Sequence, residues 1–417
     1  SMRLWLMEDW IRTWAMPEMF ARVGQQGAVD AWYQALTDVE GMMLEGVSFC
    51  GGAADILKFF DQILRPLVYE IAARAGMTGK VLRAYTSFLE ALQTYNMIAG
   101  GYGHAYQRKC GIPQGCPFSM MIVALLLRPW ICMIKTLRVI TKVLADDVMI
   151  VAKGKRMLAS FANALGATHT YMQDMGSRIA PSKSFNFAST AKARVWLRET
   201  WWTQVNTHIE VVEDFRYLGV HLSTTLTRRN RTIEARCATA MVQLRKLKYV
   251  QASAESKAKA IRVKVYACLF YGIEANDLTE KQLASISAAV IDVFQGRNDN
   301  HDTDWFYATC SEGKDLDPVN QVLVRRCLEF RRAVCKRPYL KKQYQCILQM
   351  YVKESMHEPM WYKKAHVAIG AHAFPEPVAH PAKRQKAGWK AAIREQGPIG
   401  LLVQAVLRSG ALLDENY

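Results

Sequence analysis

The chain reads as an α+β protein: a small antiparallel sheet backed by helices, followed by further helical regions. Three observations carry that expectation. Short β-prone runs alternate with longer stretches of helical periodicity through the first half of the chain. The run Gly100-Gly101-Tyr102-Gly103 sits where a hairpin turn is expected. Beyond about residue 228 the β-prone runs stop and long, basic, helix-like segments take over. With 417 residues, 51% of them hydrophobic, there is enough apolar surface for two or three domains.

Residues 1–46 read as helices, with Trp5, Trp10, Ile11, Trp14 and Phe20 at roughly helical spacing, as a packed core face would have them. "VSFCGGAADILKFFDQI" (47–63) changes character: a β-prone run meets Gly51-Gly52, passes Asp55 and enters a helical pattern. "TGKVLRAYTSFLEAL" continues as helix, and "TYNMIAGGYGHAYQRKC" (94–110) as a hairpin. "GIPQGCPFS" (111–119) then leads into a helix, with Ser119 expected as its cap. A hairpin around Asp146-Asp147 follows, then a helix from about Lys155 to Met175 and the strand-like "SFNFAS" and "FRYLGVHLS". A first boundary falls near 223. Residues 224–294 form a basic helical part, and residues 295–417 a further helical region with a Pro/Lys-rich linker near 374–390.

The formal net charge is +17, which suits a polyanionic partner, either nucleic acid or an acidic membrane surface. No apolar stretch reads as long enough to span a bilayer; Met120 to Ile134 comes nearest and is interrupted by Arg128-Pro129. Ten cysteines without CxxC pairs suggest reduced thiols in an intracellular protein. Cys310, Cys327, Cys335 and Cys346, with His301 and His357, fit none of the usual zinc spacings.

Asp146 and Asp147 stand side by side inside the apolar run "KVLADDVMIVA". Burying unpaired carboxylates is costly, and adjacent ones repel. The order of elements allows Asp55, at the end of one strand, to meet Asp146, at a hairpin tip, at one edge of the sheet. Oxygen-only ligands suit Mg²⁺, with Mn²⁺ as a substitute, and a divalent ion there would neutralise the pair.

"ADILKFFDQI", "GIPQGCPFS", "LADDVMIVA", "GSRIAPSKSFNF" and "FRYLGVHLS" occur in the order and approximate spacing of the palm motifs of reverse transcriptases. The sequence most resembles the enzymes of non-LTR (LINE-type) retrotransposons, over roughly residues 3 to 290. The resemblance implies a polymerase-type palm over 47–223, a helical thumb over 224–294 and a remnant of the fingers region over 1–46. It implies an RNA-directed DNA polymerase working by two-metal nucleotidyl transfer, with an RNA template, a DNA primer and dNTPs as partners, no membrane, and a nuclear location. Asp55 and Asp146 would be metal ligands with Asp147 assisting. Phe60 would exclude a ribose 2′-OH, and Gln114 and Gly115 would lie against the nucleotide. Lys183 would face the departing pyrophosphate. Tyr217, Leu218 and Gly219 would form the hairpin at the primer end. Arg228, Arg229, Arg231, Arg245, Lys246 and Lys248 would contact phosphates of an A-form-like hybrid.

Leu144 stands where the family usually has Tyr or Phe, and Ala54 precedes Asp55. Basic fingers strands, an endonuclease motif and an RNase H carboxylate set are not evident. The expectation is therefore either a fragment of a longer polyprotein or a decayed copy, which binds primer–template but extends it barely. The competing class is a non-catalytic nucleic-acid-binding scaffold built on the same palm. Such scaffolds usually lose the metal carboxylates, and here Asp55, Asp146 and Asp147 are all retained.

Overall fold

The computed structural model describes residues 6–21, 26–225, 231–276, 278–295, 303–310 and 313–336. These fall into two compact units, Ser1–Asp214 with Thr224–Leu226, and Phe215–Ser223 with Thr227–Tyr417. The fold is α+β, as the sequence predicts, with a small, mainly antiparallel sheet and many helices. The linker at 374–390, Arg228, Arg229, His301, Cys346 and His357 lie outside the described residues.

In the first unit five strands form one sheet, in the order Val139–Leu144 (β6), Asp147–Lys153 (β7), Phe49–Asp55 (β1), Phe185–Ala188 (β8), Glu210–Val212 (β9). All neighbours are antiparallel except β8 and β9. The central strand β1 runs straight through Gly51-Gly52. A Cβ on Gly51 would lie 2.4 Å from the Ile150 carbonyl, and one on Gly52 would lie 2.5 Å from Asn186 Oδ1. The two glycines are therefore what let the flanking strands and their side chains close on β1.

Helices Pro117–Lys135 and Met157–Asp174 form the apolar backing, with Ile122, Leu126, Trp130, Phe161 and Met172 nearly or fully excluded from solvent. Trp130 Nε1 donates to Thr168 Oγ1 at 3.0 Å, which satisfies a buried donor between the two helices. Trp14 is buried in the same core, and Trp10 Nε1 donates to the Ala75 carbonyl at 2.7 Å, so these two pack as expected, while Trp5 lies outside the described residues.

Two expectations fail in the helix Pro117–Lys135. It begins at Pro117, whose fixed φ and missing N–H suit the first helical turn, so Ser119 does not cap it. Ser119 Oγ instead donates to the Pro113 carbonyl at 2.7 Å and ties the helix to the preceding loop. The helix also continues through Arg128-Pro129 for 19 residues, with a mean hydropathy of 1.8, long and apolar enough for a bilayer span. Of that stretch 61% is buried inside the protein, which is what the core helix of a folded domain requires. Arg128 Nε, next to the proline, donates to the Trp14 carbonyl at 3.0 Å.

In the second unit β10 (Asp214–Tyr217) and β11 (Val220–Ser223) pair as a hairpin. Its two-residue turn has Leu218 at φ 47° and Gly219 at φ 86°, the left-handed pair that tight hairpins need. Helices Arg231–Lys248, Ala254–Ala260, Glu280–Gln295 and Pro318–Lys336 and a π-helical stretch, Ile261–Tyr266, surround a separate core of Ile233, Leu244, Tyr266, Phe270 and Val290.

Candidate active site

The carboxylates converge at one end of the sheet. Asp55 closes β1 and pairs in register with Asp147, the first residue of β7. Directly opposed residues of antiparallel strands hold their Cβ atoms about 5 Å apart. Asp146 sits in the two-residue turn joining β6 to β7, beside Ala145 at φ 55°. Asp55 is held by its backbone from the far side. Its N–H donates to Ser184 Oγ at 3.2 Å, its carbonyl accepts from the Ala180 N–H at 2.8 Å, and Ser184 Oγ in turn donates to the Ala180 carbonyl at 2.8 Å. That clamp brings in Lys183, on the short turn Pro181–Lys183, with Nζ 3.9 Å from Asp55 Oδ1.

Burial pushes the Asp146 carboxyl up, with the charge of Asp55 adding to it; the turn's own backbone hydrogen bond and Lys183 work the other way. Asp147 reaches solvent yet is crowded on its inner side. That crowding, then the charges of Asp146 and Asp55, push its carboxyl up to about 6. Three acids therefore face one lysine, so negative charge is left over at the sheet end. Among the described residues no group of three or more such side chains closes into a ready-made metal cage. Mg²⁺ does not require one: it is commonly held by one or two carboxylates plus waters and substrate phosphates. An open, partly solvated carboxylate pair with excess negative charge fits that ion. On these grounds Asp55 and Asp146 are the residues that would hold it.

Phe60 lies on the short helix Phe59–Gln62, half-buried, edge-on to the fully buried Phe59 at 6.3 Å. The loop before helix Pro117–Lys135 is pinned against it: Ile112 N–H donates to the Phe60 carbonyl at 2.7 Å and Gly111 N–H to the Ile63 carbonyl at 2.8 Å. Close backbone approach falls to Gly111 rather than to Gly115. A Cβ on Gly111 would sit 2.8 Å from the Asp61 carbonyl oxygen, whereas one on Gly115 meets no protein atom within 4 Å. Gly115 is required by its φ of 84°, and beside it Gln114 is exposed. Open space at Gly115 is consistent with a ligand, rather than protein, lying against it.

In the second unit Tyr217 is buried, so its part in the hairpin is packing. Arg231, Arg245 and Lys246 all reach solvent, and their spacing puts them on one face of helix Arg231–Lys248. Lys248 does not belong with them. Its Nζ donates to both oxygens of Asp292, at 2.9 and 3.1 Å, and holds two helices of the same unit together.

Arg65 and Ser184 escaped the sequence reading, and Arg236 was counted there only among the basic residues of its helix. Arg65 is buried, and its guanidinium donates to the Gly111 and Leu89 carbonyls, both at 2.9 Å, which fixes the loop of Gln114. Ser184 clamps Asp55. Arg236 donates to the Gly219 carbonyl at 2.6 Å and to the Tyr271 carbonyl, so it carries the turn of the β10–β11 hairpin. Nothing in a single sequence distinguishes an arginine spent on carbonyls from one facing solvent.

Residues 34–222 match the family model described as Reverse transcriptase (RNA-dependent DNA polymerase). No curated protein sequence matches the chain. Among solved structures, telomerase from Candida tropicalis in complex with a TWJ fragment of telomeric RNA is similar at 12% identity and TM-score 0.41, covering 84% of this chain and 56% of that one. The corresponding Candida albicans structure is similar at 12% identity and TM-score 0.39, covering 80% and 52%. The chain thus spans about half the length of those structures' chains.

Proposed function

We propose that the first unit is the palm of an RNA-directed DNA polymerase that adds dNTPs to a DNA primer on an RNA template, in a retrotransposon-like element of the non-LTR type acting in the nucleus. The observation that carries this reading is the meeting of Asp55, Asp146 and Asp147 at one open sheet end, with Lys183 3.9 Å from Asp55. Asp55 and Asp146 would hold Mg²⁺ or Mn²⁺, with Asp147 assisting. Once bound, such ions supply the positive charge that clamps attacking and leaving phosphoryl oxygens. The chain's own residues do the rest. Lys183 Nζ, 3.9 Å from Asp55, would give a proton to the departing pyrophosphate oxygen. Phe60 presents a rigid ring, anchored through Phe59 and the Ile112 hydrogen bond, where one additional hydroxyl on the sugar would collide. Gln114 and Gly115 leave an open surface for the nucleotide, held in place from behind by Arg65.

Primer extension on an RNA template tests the reading. Asp146→Ala and Asp55→Ala are expected to abolish synthesis, and Phe60→Ala to admit NTPs beside dNTPs. If the chain alone turns over too slowly to read, Mn²⁺ binding followed by paramagnetic relaxation decides. Synthesis or Mn²⁺ binding that survives both aspartate substitutions sinks the proposal.

A further inference from the structure

The hairpin between Gln93 and Gln107 serves neither the core nor the carboxylate site. It is built from β2 (Gln93–Thr94) paired with β5 (Tyr106–Gln107), and β3 (Met97–Ile98) paired with β4 (Gly101–Tyr102). From Tyr95 to Gln107 every residue is exposed. Met97, Ile98 and Tyr102 are 64%, 79% and 75% accessible, and Tyr95 and Tyr106 are 51% and 40%. A small two-stranded ribbon is marginal in water by itself, and a row of large apolar side chains held out in solvent marks a binding surface.

Charge and ring geometry select the occupant. Between Leu92 and Gln114 there is no acidic residue, while His104, Arg108 and Lys109 are basic. The Tyr95 and Tyr102 rings meet edge to face at 6.4 Å, leaving ring surface open, and two phenols are steadied by Tyr95 Oη to Gln93 Oε1 at 3.0 Å and Tyr106 Oη to Asn96 Oδ1 at 3.3 Å. The base of the hairpin is continuous with the nucleotide side of the site. Thr94 and Arg108 share a cleft of about 340 Å³ with Asp61, Arg65, Gly111 and Gln114. Arg108 is fixed there by its ion pair with Asp61 at 2.5 Å. Arg108 is thereby spent on Asp61, and the exposed Lys109 beside it is left to meet a phosphate; open rings for the bases next to positive charge for the backbone are what unpaired nucleic acid requires.

We infer that the 93–107 hairpin is a stacking platform for single-stranded nucleic acid, which receives the unpaired strand next to the candidate active site. The inference rests on the nucleic-acid part of the proposed function and is independent of catalysis. Its test therefore omits nucleotides and divalent ions. Binding of a labelled oligothymidylate and of a labelled RNA–DNA hybrid to the full chain is measured by fluorescence anisotropy. Tyr95→Ala with Tyr102→Ala should weaken the single strand at least about tenfold. Hybrid binding should be unchanged, and the Tyr→Phe pair, which keeps the rings, should bind like the unmodified chain. As a check that does not depend on a variant folding, an oligonucleotide carrying 5-iodouracil should photocrosslink to the unmodified chain within residues 93–107. Equal single-strand affinity in the alanine pair, or crosslinks only elsewhere, overturns the inference. A change of oligomeric state in the alanine pair with single-strand binding intact also overturns it, by making the hairpin a contact between copies.

Discussion

At Gly111 a single hydrogen in place of a side chain decides how the loop beside the candidate site packs against Phe60 and Asp61. The residue sits at φ 84°, and a Cβ there would come within 2.9 Å of the Phe60 carbonyl oxygen as well as 2.8 Å of that of Asp61. Gly111→Ala should cost about 2 kcal/mol or more through the left-handed backbone and the collision. It should also loosen Phe60, so thermal unfolding and dNTP-over-NTP selectivity are expected to fall together; an unchanged melting temperature would refute the close-packing account. Glu274 makes a second case at this scale. Burial pushes its carboxyl up to about 7, with the Glu329 charge adding and a backbone hydrogen bond, Arg325 and Arg326 opposing. The folded chain then keeps a proton that the unfolded chain loses near the ordinary glutamate value. Stability should therefore fall as pH rises from about 4.5 to about 7, by roughly 3 kcal/mol, and stay level above that. Denaturant titrations across this range should show that slope in the unmodified chain and a flatter profile in Glu274→Gln; parallel profiles would exclude Glu274 as its source. The acids at the site were legible in the sequence because adjacent carboxylates in an apolar run demand a reason. Glu274 was not, since a single acid in "YGIEA" carries no sign of burial.

Among the elements, the basic helix Arg231–Lys248 shows where counting charges along the chain misleads. Locally only Glu234 and Glu255 oppose eleven basic positions between 228 and 264, which suggests a broad phosphate-binding face. The fold brings in acids from later segments: Asp292 takes Lys248, and Asp315 takes Arg262 at 2.9 Å. Arg236 is spent on two carbonyls of the hairpin region. Partners so far away in sequence cannot be read from local composition, whereas helical spacing could place Arg231, Arg245 and Lys246 on one face. The same contrast explains the helix Pro117–Lys135, whose passage through Pro129 depends on tertiary packing that propensity does not encode. The hairpin at the carboxylates was the more legible part. Apolar runs either side of Asp146-Asp147 mark that hairpin locally, whereas its turn takes Ala145 at φ 55°, which no local rule assigns to alanine. Lys248→Ala is accordingly expected to lower stability by about 1 kcal/mol, by removing a half-buried ion pair, with hybrid affinity nearly unchanged. Affinity loss equal to that of Arg245→Ala would return Lys248 to the binding face.

For the whole molecule, a net charge of +17 sets a background attraction to any polyanion, and the question is how much of it is localised. On the proposed function the exposed face bearing Arg231, Arg245 and Lys246 would be a localised contribution, since each phosphate neutralised releases counterions and steepens the dependence of affinity on salt. Three such contacts correspond to a slope of log affinity against log salt of about −2 to −3. Replacing all three by Glu should therefore weaken an RNA–DNA hybrid of any sequence alike, and make the slope shallower by at least about 2. All three positions are solvent-exposed and none holds the core, so the folded state should persist, which circular dichroism checks. Diffuse attraction by the remaining surplus predicts a different result: a small, uniform loss with the slope retained. Titrations at several salt concentrations separate the two. An unaltered slope in the triple variant would move the nucleic-acid face off this helix, whatever the fate of the carboxylate site.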